Sequence, residues 1–299
     1  MKNIVGQTPR GQDFFPRDGI INRVYRRLDG GAHIFLAAPR RVGKTSIMRF
    51  LEDNPRKGYH FVYVITESAH SSEEFFQRLL EEVLKSPAIG QLAKKKENIA
   101  SLVKQVIGRI ERIKFPWVEV DMERKKEETF HASFEKLTQE YDQEEGTLTI
   151  MIDEFPQTVE NIKVTHGSEE AIRFLRLNRE QRQKADQGIR FLYTGSIGLP
   201  SVVKKLTSTS VINDLNVIDI PPFSQEEARK FTQTLLDNYQ VQYSPATIDH
   251  LLNMMVTSTS TQLKKYIVST HTFYNNGGTK RIRNNSWRSQ THYCQHLQS

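Results

Sequence analysis

The feature that most constrains this chain of 299 residues is an apolar run that leads through a small loop into a helix. Residues 33–36 read His-Ile-Phe-Leu, residues 37–46 read Ala-Ala-Pro-Arg-Arg-Val-Gly-Lys-Thr-Ser, and an apolar helical pattern follows at residues 47–51. This order matches the phosphate-binding pattern G-x-x-x-x-G-K-[ST], with Ala38 in place of the first glycine. Such a loop turns its backbone N–H groups, and the positive end of the next helix, toward a phosphate.

The residue types in the loop predict how each would serve a nucleoside triphosphate. Gly43 lets the backbone approach the phosphates closely, Lys44 reaches the β- and γ-phosphates, and Thr45 offers its hydroxyl to Mg²⁺. The alternative is a Gly-Lys-Thr helix start that occurs by chance. The predicted nucleotide-binding residues are Pro39, Arg40, Arg41, Val42, Gly43, Lys44, Thr45 and Ser46.

A second apolar run, residues 147–152, ends in two carboxylates, Asp153 and Glu154. Because parallel strands end at one edge of a sheet, Asp153 is expected beside the phosphate loop, where it can hold Mg²⁺ directly or through water. Glu154 is then placed to take a proton from the water that attacks the γ-phosphate. The predicted metal ligands are Thr45 and Asp153, and a structural role for both acids is the alternative.

A third strand pattern, residues 189–193, runs into Thr194, Gly195 and Ser196. Either hydroxyl could orient the attacking water or sense the γ-phosphate, whereas the alternative is that both cap a strand-to-helix turn. The predicted catalytic residues are therefore Lys44, Glu154, Thr194 and Ser196.

Four arginines recur along the helix predicted at residues 169–182. One of them could act as an arginine finger toward the phosphate of a neighbouring subunit, and a solvated basic face is the alternative. The candidates are Arg173, Arg176, Arg179 and Arg182.

Apolar strands alternate with amphipathic helices along the chain, which predicts an α/β fold with a parallel sheet covered on both faces. The strands are predicted at residues 33–36, 60–65, 147–152, 189–193 and 217–220. Residues 86–146 are interpreted as an insertion packed on this core, with a strand-like segment at residues 115–120.

Composition narrows the class of protein further. The chain is 37% hydrophobic and 26% charged, as in globular proteins, and it has no apolar run of the ~18 residues that a membrane span requires. The N-terminal residues lack the apolar core of a secretory signal. Its single cysteine, Cys294, rules out an internal disulfide framework. These features predict a cytoplasmic protein without a membrane partner.

The basic charge of the chain is concentrated in its last 43 residues. Residues 257–299 contain six lysines and arginines and no acid, which accounts for +6 of the net charge of +7. Of these 43 residues, 21 are Ser, Thr, Asn or Gln, and helical periodicity fades after about Phe273. Three interpretations stay open: a weakly ordered polar tail, a basic nucleic-acid-binding tail, or unselected sequence after a frame shift near Val256.

With these motifs the chain resembles the bacterial and archaeal AAA+-type ATPases of the STAND-related "archaeal ATPase" group. The resemblance covers roughly residues 14–256 and is carried by these segments: Phe-Pro-Arg-Asp at 15–18, the loop at 38–46, Ile-Asp-Glu at 152–154, Thr-Gly-Ser-Ile-Gly-Leu at 194–199, and Ile-Pro-Pro-Phe-Ser at 220–224, which leads into Glu-Glu-Ala at 226–228. It implies a five-stranded core in which the strand after the Walker B strand lies between that strand and the phosphate-loop strand. It also implies a helical C-terminal lid, and ATP rather than GTP.

The chain departs from the family pattern in two places. Pro16 stands where the family commonly has glycine, and the lid pattern ends after Val256. The predicted domains are a P-loop ATPase core (1–223), the start of a helical lid (224–256) and the polar tail (257–299).

The predicted function is Mg²⁺-dependent ATP binding with slow hydrolysis that drives a conformational switch. The alternatives are a nucleotide-dependent DNA- or protein-binding module with negligible turnover, and a non-functional remnant with a frame-shifted tail. The predicted ligands are ATP, ADP and Mg²⁺, and a protein, DNA or further copies of the chain remain open as partners.

Overall fold

The chain divides into two units, one larger than the other. The computed structural model describes residues 8–40, 42–110, 129–141, 143–184, 188–195, 198–206, 209–238, 241–253, 271–276 and 279–284. Of the described residues, those within 17–40 and 47–220 form the larger unit, and those within 1–16, 41–46 and 221–299 form the smaller unit.

A parallel five-stranded sheet forms the centre of the larger unit. Its strands are β1 (His33–Ala37), β2 (Tyr59–Ile65), β3 (Thr147–Asp153), β4 (Ile189–Thr194) and β5 (Leu215–Asp219). They lie in the order β2-β3-β4-β1-β5, and each strand is parallel to its neighbours. The α/β fold predicted from the apolar strands is therefore confirmed, and β4 lies between β3 and β1 as the resemblance implies.

Helices connect these strands and pack on the sheet or on one another. They are α1 (Asp18–Asp29), α2 (Lys44–Asp53), α3 (Ser72–Leu84), α4 (Pro87–Lys95), α5 (Glu97–Arg109), α6 (Phe130–Glu140), α7 (Phe155–His166), α8 (Ser168–Lys184) and α9 (Leu199–Lys204). Aromatic side chains from strands and helices meet in the core, among them Phe75, Phe155 and Phe174, which pack edge to face or tilted within 6 Å of one another. Within the described ranges, no helix has both the length and the apolar character of a membrane span.

Two helices of the larger unit were not predicted from the sequence. Helix α7 directly follows the Asp-Glu pair, and α4 begins the segment interpreted as an insertion, which also holds α5 and α6. The strand-like segment predicted at residues 115–120 lies outside the described residues.

Serine caps begin two of the predicted helices. Ser224 and Glu227 exchange hydrogen bonds of 2.9 and 3.1 Å between backbone N–H and side chain, which is a complete capping box. At the other box the Ser71 hydroxyl accepts from the Glu74 N–H, but the Glu74 carboxylate accepts from the N–H of His70 instead.

The smaller unit combines two helices with a small sheet. Helices α10 (Gln225–Asn238) and α11 (Pro245–Asn253) form the apolar core with Phe15 and Phe223. The strands β6 (Val241–Gln242), β7 (His271–Asn276) and β8 (Thr279–Asn284) lie in the order β6-β8-β7, with β7 and β8 antiparallel. Both helices were predicted, whereas the strands within the polar tail were not.

Arg182 forms a buried ion pair that ties α8 to the segment before β5. Its side chain is 1% exposed, and its guanidinium donates to both carboxylate oxygens of Asp214 at 2.6 and 2.9 Å and to the Val211 carbonyl at 2.7 Å. Burial acts to raise the pKa of Asp214, but the hydrogen bonds and charge of Arg182 outweigh burial and lower that pKa.

Replacing Arg182 with methionine should destabilise the larger unit by about 3 kcal/mol, because the substitution leaves the Asp214 carboxylate half-buried without its partner. Chemical denaturation measures this loss. The matched control is Lys184→Met on the same helix, which removes an exposed ion pair with Glu135 and should not change stability measurably. Equal stability losses in the two variants would contradict the assignment.

His33 is held in its neutral form at the start of β1. Nε2 lies 2.9 Å from the Arg182 carbonyl, and Nδ1 accepts from the N–H of Phe191 at 3.1 Å, so the ring carries its proton on Nε2. Burial, opposed by the hydrogen bond to the Arg182 carbonyl, lowers the pKa of His33 to about 4. Protonation of Nδ1 would place two N–H donors against each other and break the hydrogen bond from the Phe191 N–H.

This arrangement predicts a loss of stability on acidification. Between pH 6.5 and about 4 the unfolded chain binds a proton at His33 and the folded chain does not, so stability falls with decreasing pH. The contribution of His33 to this loss should approach about 3 kcal/mol. Urea denaturation from pH 7 to 4 should therefore show a shallower pH dependence for His33→Gln than for the wild type, and parallel curves would refute the assignment.

Candidate functional site

Three of the predicted site residues, Asp153, Glu154 and Thr194, lie at the carboxyl edge of the sheet in the larger unit. The register pairs Ile65 of β2 with Asp153 of β3, and Ile152 with Tyr193, so that Thr194 follows on β4 next to Asp153. In open α/β sheets this edge is where ligands bind. β1 also ends at this edge, at Ala37, and continues into the phosphate loop.

Asp153 is a buried carboxylate with a hydrogen-bond donor on each oxygen. It is 4% exposed. The Thr194 hydroxyl donates to Oδ1 at 2.7 Å, and the Tyr63 hydroxyl donates to Oδ2 at 2.7 Å. The N–H of Glu154 adds a third hydrogen bond, to Oδ1, at 3.1 Å. A buried charge requires such partners, and here they also fix the plane of the carboxylate.

The backbone around Asp153 is anchored as well. Its carbonyl accepts from the Thr66 N–H at 3.2 Å and from the Thr66 hydroxyl at 3.1 Å. The Thr158 hydroxyl on α7 in turn donates to the Thr66 carbonyl at 2.7 Å. The end of β3 is therefore bound to the turn after β2 and to α7.

Tyr63 was missed by the sequence analysis. Burial, followed by the charge of Asp153 and its hydrogen bond, raises the pKa of Tyr63, so its hydroxyl keeps its proton and acts as a donor. The sequence signal is a hydroxyl-bearing side chain two residues before the end of a buried strand. Its meaning depends on the strand register, which the sequence alone does not supply.

Glu154 adopts a left-handed backbone conformation, with φ 59° and ψ 32°. Among the described residues it is the only one other than glycine with a positive φ. This conformation costs a non-glycine residue about 1 kcal/mol or more, and such strain is concentrated at functional sites. The left-handed conformation of Glu154 therefore favours a functional role for its side chain.

The phosphate loop runs from the end of β1 to the start of α2. Ala38, Pro39 and Arg40 follow β1, and Arg41 lies outside the described residues. Gly43 has a φ of 97°, and a Cβ added there would meet no heavy atom within 4 Å. The position thus has the glycine conformation and the open space that close approach of a phosphate requires.

The first turn of α2 holds the charged and hydroxyl residues of the loop. Lys44 begins the helix and is only 7% exposed, Thr45 is partly exposed, and Ser46 and Val42 are buried. A buried ammonium next to a helix N-terminus suits an anionic ligand. Ser196, the other predicted catalytic hydroxyl, lies outside the described residues.

These residue types fit a nucleotide with Mg²⁺. The Asp153 carboxylate and the Thr45 hydroxyl are oxygen ligands, which Mg²⁺ prefers, and Mg²⁺ usually takes only one or two carboxylates together with phosphates and water. The described part of the chain contains no cluster of three or more His, Cys, Asp or Glu that could hold a metal ion.

The four arginines on α8 differ in exposure. Arg182 is engaged with Asp214 in the interior, so it is not available as an arginine finger. Arg173 and Arg176 are exposed, and Arg179 is partly buried. A guanidinium nitrogen of Arg173 lies 3.8 Å from a carboxylate oxygen of Glu170 on the same helix, which is typical of a solvated ion pair.

Comparison with known proteins identifies the fold. No protein-family model and no curated protein sequence matches the chain. A Walker-type ATPase of Pyrococcus abyssi has a similar structure, with a TM-score of 0.57 and 15% identity over 89% of this chain and 71% of that chain. At this identity the likeness concerns the fold alone.

Two further solved structures are similar at TM-scores below 0.5. The ORC2 protein of Aeropyrum pernix, solved in ADPNP–ADP complexes, gives a TM-score of 0.47 at 16% identity over 86% of this chain and 63% of that chain. The ORC1 protein of the same organism, solved with DNA, gives 0.45 at 13% identity over 85% and 59%. This chain spans less than two thirds of the length of either. The Pyrococcus abyssi structure and the strand order together show that the chain has the α/β fold of Walker-type, P-loop ATPases.

Proposed function

We propose that this chain binds ATP with Mg²⁺ and hydrolyses it slowly as a conformational switch. The observation that carries the proposal is the buried Asp153 carboxylate, held by two hydroxyls at the sheet edge where β1 continues into a Gly-Lys-Thr phosphate loop. A buried carboxylate with both oxygens oriented, in a P-loop fold, is suited to hold a metal ion that accompanies phosphates.

Each residue has a distinct role in this proposal. The loop amides and Lys44 bind the β- and γ-phosphates, and Thr45 and Asp153 hold Mg²⁺. The metal supplies positive charge against the phosphate oxygens as negative charge develops on them. Pro39, Arg40, Arg41, Val42 and Ser46 complete the loop.

Thr194 is proposed to orient the attacking water. Its hydroxyl proton is already donated to Asp153, so its oxygen can only accept a hydrogen bond from a ligand. This favours contact with a water proton over donation to a phosphate oxygen, and so favours the water-orienting role of the two predicted for this residue. Ser196 remains a candidate for the second role.

Glu154 is proposed as the general base. It follows Asp153 directly, and its left-handed backbone turns the chain from β3 into α7. Its carboxylate would accept a proton from the attacking water, a contribution typically worth 10²- to 10⁴-fold in rate.

Substituting Lys44 with alanine tests nucleotide binding. Loss of the ammonium should weaken Mg²⁺-ATP binding by about 100-fold or more, because the phosphate charge loses a buried partner. Isothermal titration with ATP, ADP and GTP measures this effect and the preference for adenine. Lys57→Ala, at an exposed lysine beyond α2, should bind ATP like the wild type. Undiminished binding by Lys44→Ala would refute the proposed site.

Two substitutions of Glu154 separate catalysis from folding. Glu154→Gln should keep ATP binding and lower steady-state phosphate release by 10²- to 10⁴-fold. Glu154→Gly should lose the same activity but raise the free energy of unfolding by about 1 kcal/mol, because glycine adopts the left-handed conformation without strain. Wild-type turnover in either variant would remove Glu154 from the mechanism.

A second candidate function is a nucleotide-dependent DNA- or protein-binding module with negligible turnover. The basic, acid-free residues 257–299 favour DNA as the partner in this case. Phosphate release measured with and without duplex DNA distinguishes the two functions: a switch ATPase turns over in the absence of DNA, and the module does not.

The finer assignments belong to the same proposal. We place the chain with the STAND-related "archaeal ATPase" group of AAA+ proteins, in the cytoplasm, because of its motif set and its single cysteine. The proposed domains are the core at 1–223, the start of the lid at 224–256 and the tail at 257–299. Translation of the gene in the other reading frames tests whether the tail is native.

A further inference from the structure

Tyr63 lies between the metal-binding edge and an outer cluster of charged side chains. The guanidinium carbon of Arg49 on α2 lies 3.5 Å from the centroid of the Tyr63 ring. Arg49 also bonds to Glu52 at 2.7 Å, and the other Glu52 oxygen accepts from the Tyr63 backbone N–H at 3.3 Å. The tyrosine is thereby held by its ring and by its backbone.

Glu52 accepts a hydrogen bond from the backbone N–H of Tyr63, which has no neighbouring strand to bond to among the described residues. Among the described strands β2 lies at the edge of the sheet and pairs only with β3. The carboxylate of Glu52 takes the position of a neighbouring strand's carbonyl at Tyr63, so this stretch of the edge is capped rather than open to another strand. The Tyr63 ring is consequently fixed in spite of lying on the outermost strand.

Hydrogen bonds to both oxygens of Asp153 restrain the orientation of its carboxylate more firmly than a bond to one oxygen. The torsion about the Cβ–Cγ bond of aspartate is broad and weakly restrained. The Thr194 hydroxyl and the Glu154 N–H restrain Oδ1, and the Tyr63 hydroxyl restrains Oδ2 from the other side, so the plane of the carboxylate is held at both oxygens. Partners of this kind orient metal ligands, and their loss typically costs 10- to 100-fold in metal affinity or activity.

We infer that Tyr63 is a positioning residue for Mg²⁺: its hydroxyl, clamped by Arg49 and Glu52, orients the Asp153 carboxylate toward the metal of the bound nucleotide. This inference rests on the proposed function and deepens it. It assigns a role to three residues outside the phosphate-loop and Asp-Glu motifs. A Tyr63 hydroxyl with a purely structural role would make the same hydrogen bond. The Mg²⁺ dependence of ATP binding distinguishes that role from the positioning role.

The same strand provides a matched control. The hydroxyl of Tyr59, four residues earlier on β2, also donates to a carboxylate, that of Asp29 at the end of α1. Tyr59→Phe therefore removes the same type of bond from the same strand, away from Asp153.

The experiment measures ATP binding by calorimetry in the Glu154→Gln background, in EDTA and over a series of MgCl₂ concentrations. For Tyr63→Phe, affinity in EDTA should stay within about two-fold of the parent, and the MgCl₂ concentration at half-maximal effect should rise by about ten-fold. Tyr59→Phe should change neither quantity. Arg49→Met, which keeps the hydroxyl but removes the clamp, should raise the MgCl₂ midpoint by a smaller factor.

Each outcome decides a different point. An unchanged MgCl₂ midpoint in Tyr63→Phe, or an equal loss of affinity with and without Mg²⁺, overturns the positioning role and leaves the proposed function intact. A parent protein that does not bind ATP overturns the proposed function, and this inference with it. If thermal unfolding shows that Tyr63→Phe does not fold, Arg49→Met decides: a raised midpoint supports the role and an unchanged one refutes it.

Discussion

A carboxylate that is 4% exposed must be supplied with hydrogen-bond donors, and the arrangement of the sheet edge depends on meeting that requirement at Asp153. The donors come from three chain segments: Tyr63 on β2, Thr194 on β4 and the backbone of Glu154 at the start of α7. The strand order β2-β3-β4 is what places a hydroxyl on each side of β3. The buried charge of Asp153 is therefore stabilised by donors that only this strand order brings to both sides of β3.

The fold was largely predictable because apolar strands buried on both faces differ plainly from amphipathic helices. Helix α7 was missed although Phe155, Val159 and Ile162 recur at helical spacing and Pro156 suits a first helical turn. The strands β7 and β8 were missed because the polar composition of the tail outweighed a local signal, the Asn-Gly-Gly at residues 276–278 between them. In both segments the local signal is short and is weaker than the pattern of the surrounding sequence.

The candidate site was predictable where it consists of contiguous motifs and unpredictable where it depends on register. The Asp-Glu pair and Thr194 follow strand patterns directly, so their place at the sheet edge could be expected. Tyr63 contacts Asp153 across 90 residues of sequence, and Arg182 pairs with Asp214 across 32 residues, where the sequence predicted either an arginine finger or a solvated basic face. Neither pairing leaves a periodic signal, because each is fixed by tertiary packing.

The two hydroxyls that hold Asp153 differ in how firmly their own strands are held. Thr194 belongs to β4, which is hydrogen-bonded to a strand on either side, whereas Tyr63 belongs to β2, which lies at the edge of the described part of the sheet. Local opening of a sheet begins at its edges, so the Tyr63 contact should break before the Thr194 contact does. A cleft of about 490 Å³, lined in part by Arg49, Glu52 and Tyr63, opens at this strand. Of the donors to Asp153, the Tyr63 hydroxyl therefore comes from the strand nearest this cleft, so a change at the cleft would reach the carboxylate through Tyr63.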